Sequence, residues 1–511
     1  MPTLGISTWS TRALFAGILL FGLLAMTARP ATDPDLWWHL RTGQWIIETS
    51  HVPHTDPFSF TRGGSSWVSH EWLSEVIFYG LWKRGGASAL IVFSSFVTTA
   101  GFLLLYWRCP AQPHWAAAAT VLGAWASAPC WGTRPQTFTF LFASIFLWLL
   151  ERAEDRPRLL LWIPPLFLLW LNLHAGFAIG PVLMLLYAAG LVLEAANGTT
   201  PWAKARPNVI RILLAMLACL ALVPLNPSGT QLYRYPLDTL RSPGMRLFIV
   251  EWFSPDFHQW MYFPCLLVFL LLMAALAGSR FQIRGRVFLP LLFMFLSALD
   301  AARHIPIFML VAIPVIAQSL SHLSPAPQLS APRPVGQRFR PLFDWAVLLL
   351  LAAFTLTRWT NLARSQNLRE ANQFPREAVA FLRTSNPDQP GRLFAYYDWG
   401  GYAIWRLYPQ YRVFVDGRSD LYGDNILKQC DSAVQLHKGW RAALDDWNVQ
   451  TVLIPPNSAL AQALLLDPGW KAPYHDSQAS IFARNRMSIP HGRLPAATSP
   501  ALSSPLSPKR P

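Results

Sequence analysis

Charge is what this 511-residue chain has least of. Only 14% of its residues are charged while 53% are hydrophobic, with 24 Trp and 32 Phe. A soluble chain of this length needs far more charge to cover its surface, so the scarcity argues for an integral membrane protein. Cysteine is also scarce. The five (Cys109, Cys130, Cys219, Cys265 and Cys430) form no close pair and show no metal-ligand spacing, which argues against disulfides and against a cysteine-based zinc site. Internal repeats and a nucleotide-binding fingerprint are absent as well.

Acidic residues are too few to balance the basic ones: 27 Asp and Glu against 42 Lys and Arg give a net charge of +15. Such a surplus suggests nucleic acid, but its placement argues otherwise. Many arginines lie in short loops between apolar runs, as membrane-orientation signals do, and no nucleic-acid partner is expected.

The apolar runs are long. A bilayer-crossing helix needs roughly 17–25 residues, and about eleven segments qualify: 13–28, 87–107, 115–130, 136–150, 158–171, 176–194, 209–224, 261–278, 287–300, 304–320 and 342–358. With the N-terminus cytoplasmic, the tight basic clusters face the cytoplasm: Arg152 and Arg156, Lys204 and Arg206, Arg280, Arg284 and Arg286, then Arg333, Arg338 and Arg340. The loop 226–260, with Arg234, Arg241 and Arg246, counts the other way. Ala25, Ala28 and Ala31 would also fit a signal-cleavage site, although a polytopic chain needs none. A multi-pass protein of the inner (cytoplasmic) membrane is expected, with its C-terminal domain extracytoplasmic.

The fold class expected is an all-α polytopic membrane bundle plus a C-terminal soluble α/β domain. Residues 1–28 hold the N-terminus and first span, 29–86 a first outer loop, and 87–358 the remaining bundle. Residues 370–485 form the external domain and 486–511 a Pro/Ser-rich disordered tail. In the outer loop, Leu36, Leu40, Gly43 and Ile47 make one stripe of an amphipathic helix over 35–48. Trp72, Leu73, Val76, Ile77, Gly80 and Leu81 make another over 70–83, with Glu75 and Lys83 on its polar face. Both are expected to lie in the membrane interface. His54-Thr55-Asp56-Pro57 and Gly63-Gly64-Ser65 read as turns. The external domain has strand signals at 392–397, 411–415, 450–454 and 479–484, with helices at 375–384, 401–407, 425–445 and 458–466. This pattern predicts a partly parallel sheet.

The polar motifs all fall, by topology counting, on the outer side. Asp33-Pro34-Asp35 has a structural reading, an N-cap, a first-turn proline and an acid on the helix dipole. It has a functional reading too: a carboxylate can act as general base or bind a divalent cation. His39 follows in the same segment, and His70-Glu71-Trp72 reads either as a helix start with an acid in its first turn or as a supporting or acceptor contact, so His39, His70 and Glu71 join the substrate-binding candidates. Asn172 and His174 at the outer end of one span either hydrogen-bond between helices or contact a ligand. Asp300 and Arg303 can pair with each other, yet Arg134, Arg303 and His304 are also what a phosphate headgroup requires. Glu251-Trp252 fits an interfacial or re-entrant segment near an acceptor. In the external domain, Asp398, Asp416, Arg418 and Asp420 follow strands, where α/β sheets place ligands. For Asp398 a structural strand-to-helix turn fits better. For the other three, carbohydrate or partner binding stays open.

Taken in order, these motifs resemble the GT-C class of membrane glycosyltransferases. More narrowly, they resemble a bacterial branch with Asp-Pro-Asp-Leu-Trp-Trp-His, a His-Glu-Trp helix, Asn-x-His-x-Gly and Arg-His-x-Pro turns, and Asp-Trp-Gly-Gly-Tyr and Asp-Gly-Arg in an external domain. The resemblance covers residues 11–485. It implies a polyprenyl-phosphate-linked sugar as donor and a lipid, glycan or protein acceptor, with transfer at the outer face and inversion at the anomeric carbon. Asp33 or Asp35 maps to the catalytic base, and some members use a divalent cation (Mg or Mn) while others use none. Two other classes compete. A transporter or flippase for a lipid-linked substrate would carry polar residues at mid-membrane, and a non-catalytic envelope scaffold would act through residues 370–485.

Overall fold

A computed structural model describes residues 10–278, 283–323, 340–384 and 390–485. The expected tail 486–511, together with Arg280, Arg333 and Arg338, lies outside the described residues. Six helical segments among the described residues are long and apolar enough to cross a membrane: Trp72–Arg108, Ala175–Ala196, Trp202–Leu225, Trp260–Gly278, Ala302–His322 and Pro341–Gln373. Thr11–Thr27 and Pro157–Leu173 are shorter apolar helices. Helices Pro113–Ser127, Gln136–Arg152 and Gly285–Asp300, of 15, 17 and 16 residues, complete the same bundle. The chain is a multi-pass membrane protein. Of the eleven segments expected to cross, six reach spanning length by this measure.

The first helix, α1 (Thr11–Thr27), is followed by α2 (Leu36–Thr49) and α3 (Trp72–Arg108). The two expected segments 70–83 and 87–107 are pieces of α3, separated by a kink. Gly85 and Gly86 leave helical geometry there, and the φ of +58° at Gly86 is one that only glycine adopts without cost. The N-terminal piece packs along α2, and helix Tyr397–Leu407 covers α2 from the other side. Leu36, Trp37, Trp38, Leu40 and Gly43 are therefore buried in protein, whereas an interfacial helix would bury them in lipid. Trp37 meets Trp82, Phe374 and Tyr402 edge-on at 5.7, 5.4 and 5.0 Å.

The last bundle helix continues to Gln373, and a short helix, Arg376–Thr384, stands between it and a five-stranded sheet. The strands are β1 (Gly391–Ala395), β2 (Tyr411–Val413), β3 (Thr451–Ile454), β4 (Trp470–His475) and β5 (Ser480–Arg484). Their order is β2-β1-β3-β5-β4, with β1 parallel to β2 and β3, and β5 antiparallel to β3 and β4. A partly parallel sheet was expected; β4 was not. The stretch expected as one helix over 425–445 is two, Ser419–Val434 and Trp440–Asp445, broken where Leu436 and Gly439 take positive φ. The outer loop does more than turn. Phe60 donates its N–H to Val413 at 3.1 Å and Phe58 accepts from Val413 at 3.2 Å, so residues 58–60 extend the exposed edge of β2.

Within the bundle, basic and acidic side chains from four helices and the turn after Arg152 interlock. Arg108 pairs with Glu151 at 2.8 Å, and Arg286 pairs with Glu154 and Glu194. Both Glu194 and Arg286 are buried. Replacing Glu194 with Leu should leave the Arg286 guanidinium in a low-dielectric site without its main partner, at a cost of about 3–5 kcal/mol. Thermal unfolding in detergent would read this as a clear drop. An unchanged melting temperature would mean that Glu154 or water satisfies Arg286 without Glu194.

Candidate active site

The sheet domain sits over the open end of the bundle, and two cavities lie between them. One, about 280 Å³, is walled by Asp35, His39, His70, Glu71, Arg134, His174, Glu251, Arg303 and His304 from the bundle side. Asp420 and the Gly417-Arg418 edge complete it from the domain side. The other, about 460 Å³, adds Asp33, Tyr397 and Asp398 and shares Asp35, Arg134, Glu251 and Arg303. The two cavities therefore meet at a common wall of acids and arginines.

That wall is an alternating chain of charge. Asp33 makes the turn contact of its structural reading and, with its other oxygen, an ion pair with Arg134. Its Oδ1 accepts the Asp35 N–H at 3.0 Å, as a turn cap does, while its Oδ2 takes the Arg134 Nε. Arg134 Nη1 donates to Glu251 at 2.7 Å, and the other Glu251 oxygen faces Arg303 at 3.2 Å. Arg303 in turn stacks 4.4 Å over Trp252. The expected local pairing of Asp300 with Arg303 does not form: Arg303 turns inward to Glu251, and Asp300, exposed, meets Arg246 at 3.6 Å. Burial opposes ionisation of Glu251, but Arg303 and Arg134 hold its carboxyl below the usual range.

Asp35 differs from its neighbour. One oxygen accepts from Trp38 Nε1 at 3.3 Å, and among the described residues no cation pairs with it. Burial, reinforced by the charges of Asp33 and Glu251 and opposed by Arg134, pushes its carboxyl up to about 8. Gly417 of the Asp-Gly-Arg turn lies against it. A Cβ there would come within 1.8 Å of Asp35 Oδ1, so only glycine lets the domain approach this closely.

Beside the wall, three motifs meet around Glu71. His70 Nε2 lies 2.8 Å from it, and the Nε2 atoms of His39 and His174 each lie 3.6 Å away. Gly176 N–H donates to His174 Nδ1 at 3.0 Å, so the neutral ring carries its proton on Nε2, facing Glu71. Burial drives His39 to about 3 and His174 to about 4. Glu71, despite burial, is drawn to about 2 by His70 and His174, and His70 is raised in spite of burial by Glu71. One ion pair thus sits among neutral imidazoles.

Several candidates serve other ends. Asn172 lines neither cavity. Its Oδ1 accepts from Trp72 at 2.7 Å and from Asn226 at 3.1 Å, which ties the start of α3 to its neighbours. Asp416 and Arg418 do not form an open binding surface. The fully buried Arg418 donates to Asp416 at 2.7 and 2.8 Å and to Asp56 of the outer loop at 2.8 Å. Asp398 is exposed at the mouth of the larger cavity, in the first turn of its helix.

The sequence pattern puts Glu75 on a polar helix face. It is instead buried, 3.4 Å from His39. Tyr235 was missed altogether: it hydrogen-bonds Asp420 at 3.1 Å with its ring 4.4 Å from that of His70. Its only sequence signal is an aromatic inside the outer loop 226–260.

Neither a protein-family model nor a curated sequence matches the chain. Solved structures do. The archaeal oligosaccharyltransferase AglB from Archaeoglobus fulgidus, in complex with an inhibitory peptide and a dolichol-phosphate, superposes with a TM-score of 0.56 at 12% identity. The match covers 94% of this chain and 75% of that one. The apo form of the Archaeoglobus fulgidus oligosaccharyltransferase gives 0.53 over the same shares. ArnT from Cupriavidus metallidurans bound to undecaprenyl phosphate gives 0.47 at 14% identity, covering 94% and 98%. At these identities the AglB likeness establishes the fold, which is of the GT-C type.

Proposed function

We propose that this chain is a membrane glycosyltransferase. It moves a sugar from a polyprenyl-phosphate carrier to a lipid, glycan or protein acceptor outside the cytoplasm. One observation carries the reading: Asp35, Arg134, Glu251 and Arg303, from loops up to 268 positions apart (303 − 35), line one cavity beneath a covering domain.

In this reading Asp35 is the base, because Asp33 is already committed to Arg134. The acceptor hydroxyl gives its proton to Asp35, and its oxygen bonds to the anomeric carbon from the face opposite the leaving group. The carbon–oxygen bond to the carrier phosphate breaks, and the electron pair leaves on the phosphate oxygen. Arg303 and His304, which line the same cavity, are the groups that would stabilise that charge in this reading, as fixed donors do for a leaving group. Glu251 orients both arginines. The AglB structure was solved with a dolichol-phosphate and a peptide bound, which supports a lipid carrier and a separate acceptor for this fold.

The test compares glycans and lipids from a deletion strain carrying the wild-type gene with those from the same strain carrying Asp33→Asn/Asp35→Asn. Loss of a glycosylated product, with the variant inserted at normal abundance, is the expected result. An unaltered product profile would remove the assignment.

A further inference from the structure

We infer that the resident cation of this site is Arg134 itself, and that the acids around it take no divalent metal. The inference rests on the transfer-site reading and specifies its cofactor requirement. The GT-C resemblance leaves a Mg or Mn ion open, so the donor set has to be tested for one.

Three carboxylates face one another here, Asp33, Asp35 and Glu251, and together they offer six oxygens. Five are engaged. Asp33 Oδ1 holds the Asp35 N–H, and Asp33 Oδ2 holds Arg134 Nε. Glu251 Oε2 holds Arg134 Nη1 and its Oε1 faces Arg303. Asp35 Oδ1 accepts from Trp38. Magnesium demands near-octahedral oxygen ligation, and manganese suits the same oxygen donors. Waters and a substrate phosphate can fill much of that shell, but the one or two carboxylates that anchor such an ion are missing here: both oxygens of Asp33 and of Glu251 already face an N–H or a guanidinium, which leaves a single oxygen of Asp35. Among the described residues, no group of three or more His, Cys, Asp or Glu is placed to hold a metal ion.

Charge points the same way. A guanidinium bridging Asp33 and Glu251 already supplies the positive centre that a divalent ion would bring. The second guanidinium, Arg303, balances the remaining charge of Glu251. A metal ion at this place would have to displace Arg134 while facing its charge at close range. Arg134 also does what a metal clamp does for geometry, since it ties the first outer loop to the loop before the Trp260–Gly278 span. As a fixed, permanently charged fork it needs no metal supply.

The experiment titrates Mn²⁺ into the full-length protein in lipid nanodiscs and follows free Mn²⁺ by electron paramagnetic resonance. The wild-type protein should retain no stoichiometric Mn²⁺. Arg134→Asp removes the guanidinium and adds a fourth carboxylate to Asp33, Asp35 and Glu251. It should bind Mn²⁺ at least ten-fold more tightly than wild type, in a way that Asp33→Asn abolishes. If Arg134→Asp fails to fold, the wild-type titration and a chelator challenge still decide. Transfer unaffected by EDTA supports the inference. One Mn²⁺ held per wild-type chain and lost in Asp33→Asn, or transfer abolished by EDTA and restored by Mn²⁺, overturns it and leaves the glycosyltransferase reading intact. Because binding is read without turnover, it decides the question even where no transfer is found.

Discussion

Replacing Arg418 with alanine is expected to loosen the covering domain from the bundle. Its guanidinium is buried between Asp416 of the domain and Asp56 of the first outer loop, over the rings of Trp67 (4.7 Å) and Phe58 (5.2 Å). Removing it leaves two buried carboxylates without a counter-charge, a change worth about 3–5 kcal/mol. Asp56 also accepts the N–H groups of Phe58 and Ser59, both at 3.0 Å, so its loss of charge would unsettle the segment that extends the sheet edge. Limited proteolysis should then cleave near residues 50–70 well before wild type, and thermal unfolding should begin earlier. A conservative Arg418→Lys variant should recover little, since one ammonium cannot reproduce the fork that reaches both acids. Acid should mimic the substitution. Against its burial, Arg418 holds Asp56 below the ordinary value of 3.8, so the stabilisation is present above that value and is lost as pH falls through the depressed one. Wild-type protease resistance in Arg418→Ala would show that the domain is held by its apolar contacts alone.

This clamp also marks the limit of what sequence reasoning could reach. Residues 56 and 418 are 362 positions apart, and nothing in either segment announces the partner. His54-Thr55-Asp56-Pro57 has turn composition whether it ends in solvent or in the core. Glu75 failed for a related reason. It stands opposite the apolar stripe of its helix, a position normally solvated, but α2 covers that side and brings His39 to it. Strand β4 escaped because Trp470-Lys471-Ala472-Pro473 has a proline and no alternation, properties that an edge strand tolerates. Long apolar runs, by contrast, report directly on helices, because a bilayer-length hydrophobic stretch has few other ways to satisfy its backbone. The acids and bases of the candidate site were legible for the same reason. Asp33, Asp35, Arg134, His174 and Arg303 interrupt or border those runs, where a polar group is costly unless something keeps it there. Their partners were not legible, as Asp300 and Arg303 show, because pairing depends on which loops the bundle brings together.

Substituting Asp35 with asparagine should lower sugar transfer by about 10²–10⁴-fold, the range for removal of a general base. The pH profile distinguishes this role from a structural one. A base must be ionised, and burial pushes the Asp35 carboxyl up to about 8, so kcat/KM for the wild-type protein should climb with pH through that value and then level. Its neighbours should move this limb in opposite directions. Asp33 and Glu251 raise the Asp35 value and Arg134 lowers it. Asp33→Asn removes one negative charge and frees Arg134, so the limb should shift to lower pH. Arg134→Gln should shift it higher while weakening transfer through the lost contact to Glu251. Measuring kcat/KM between pH 6 and 10 for the three proteins, with folding checked by thermal unfolding, gives both the loss and the displacement. If Asp35→Asn keeps wild-type transfer, or if the limb stays fixed in Asp33→Asn and Arg134→Gln, the group that takes the acceptor's proton is not Asp35. The His70–Glu71 pair in the same cavity would then be the next base to examine.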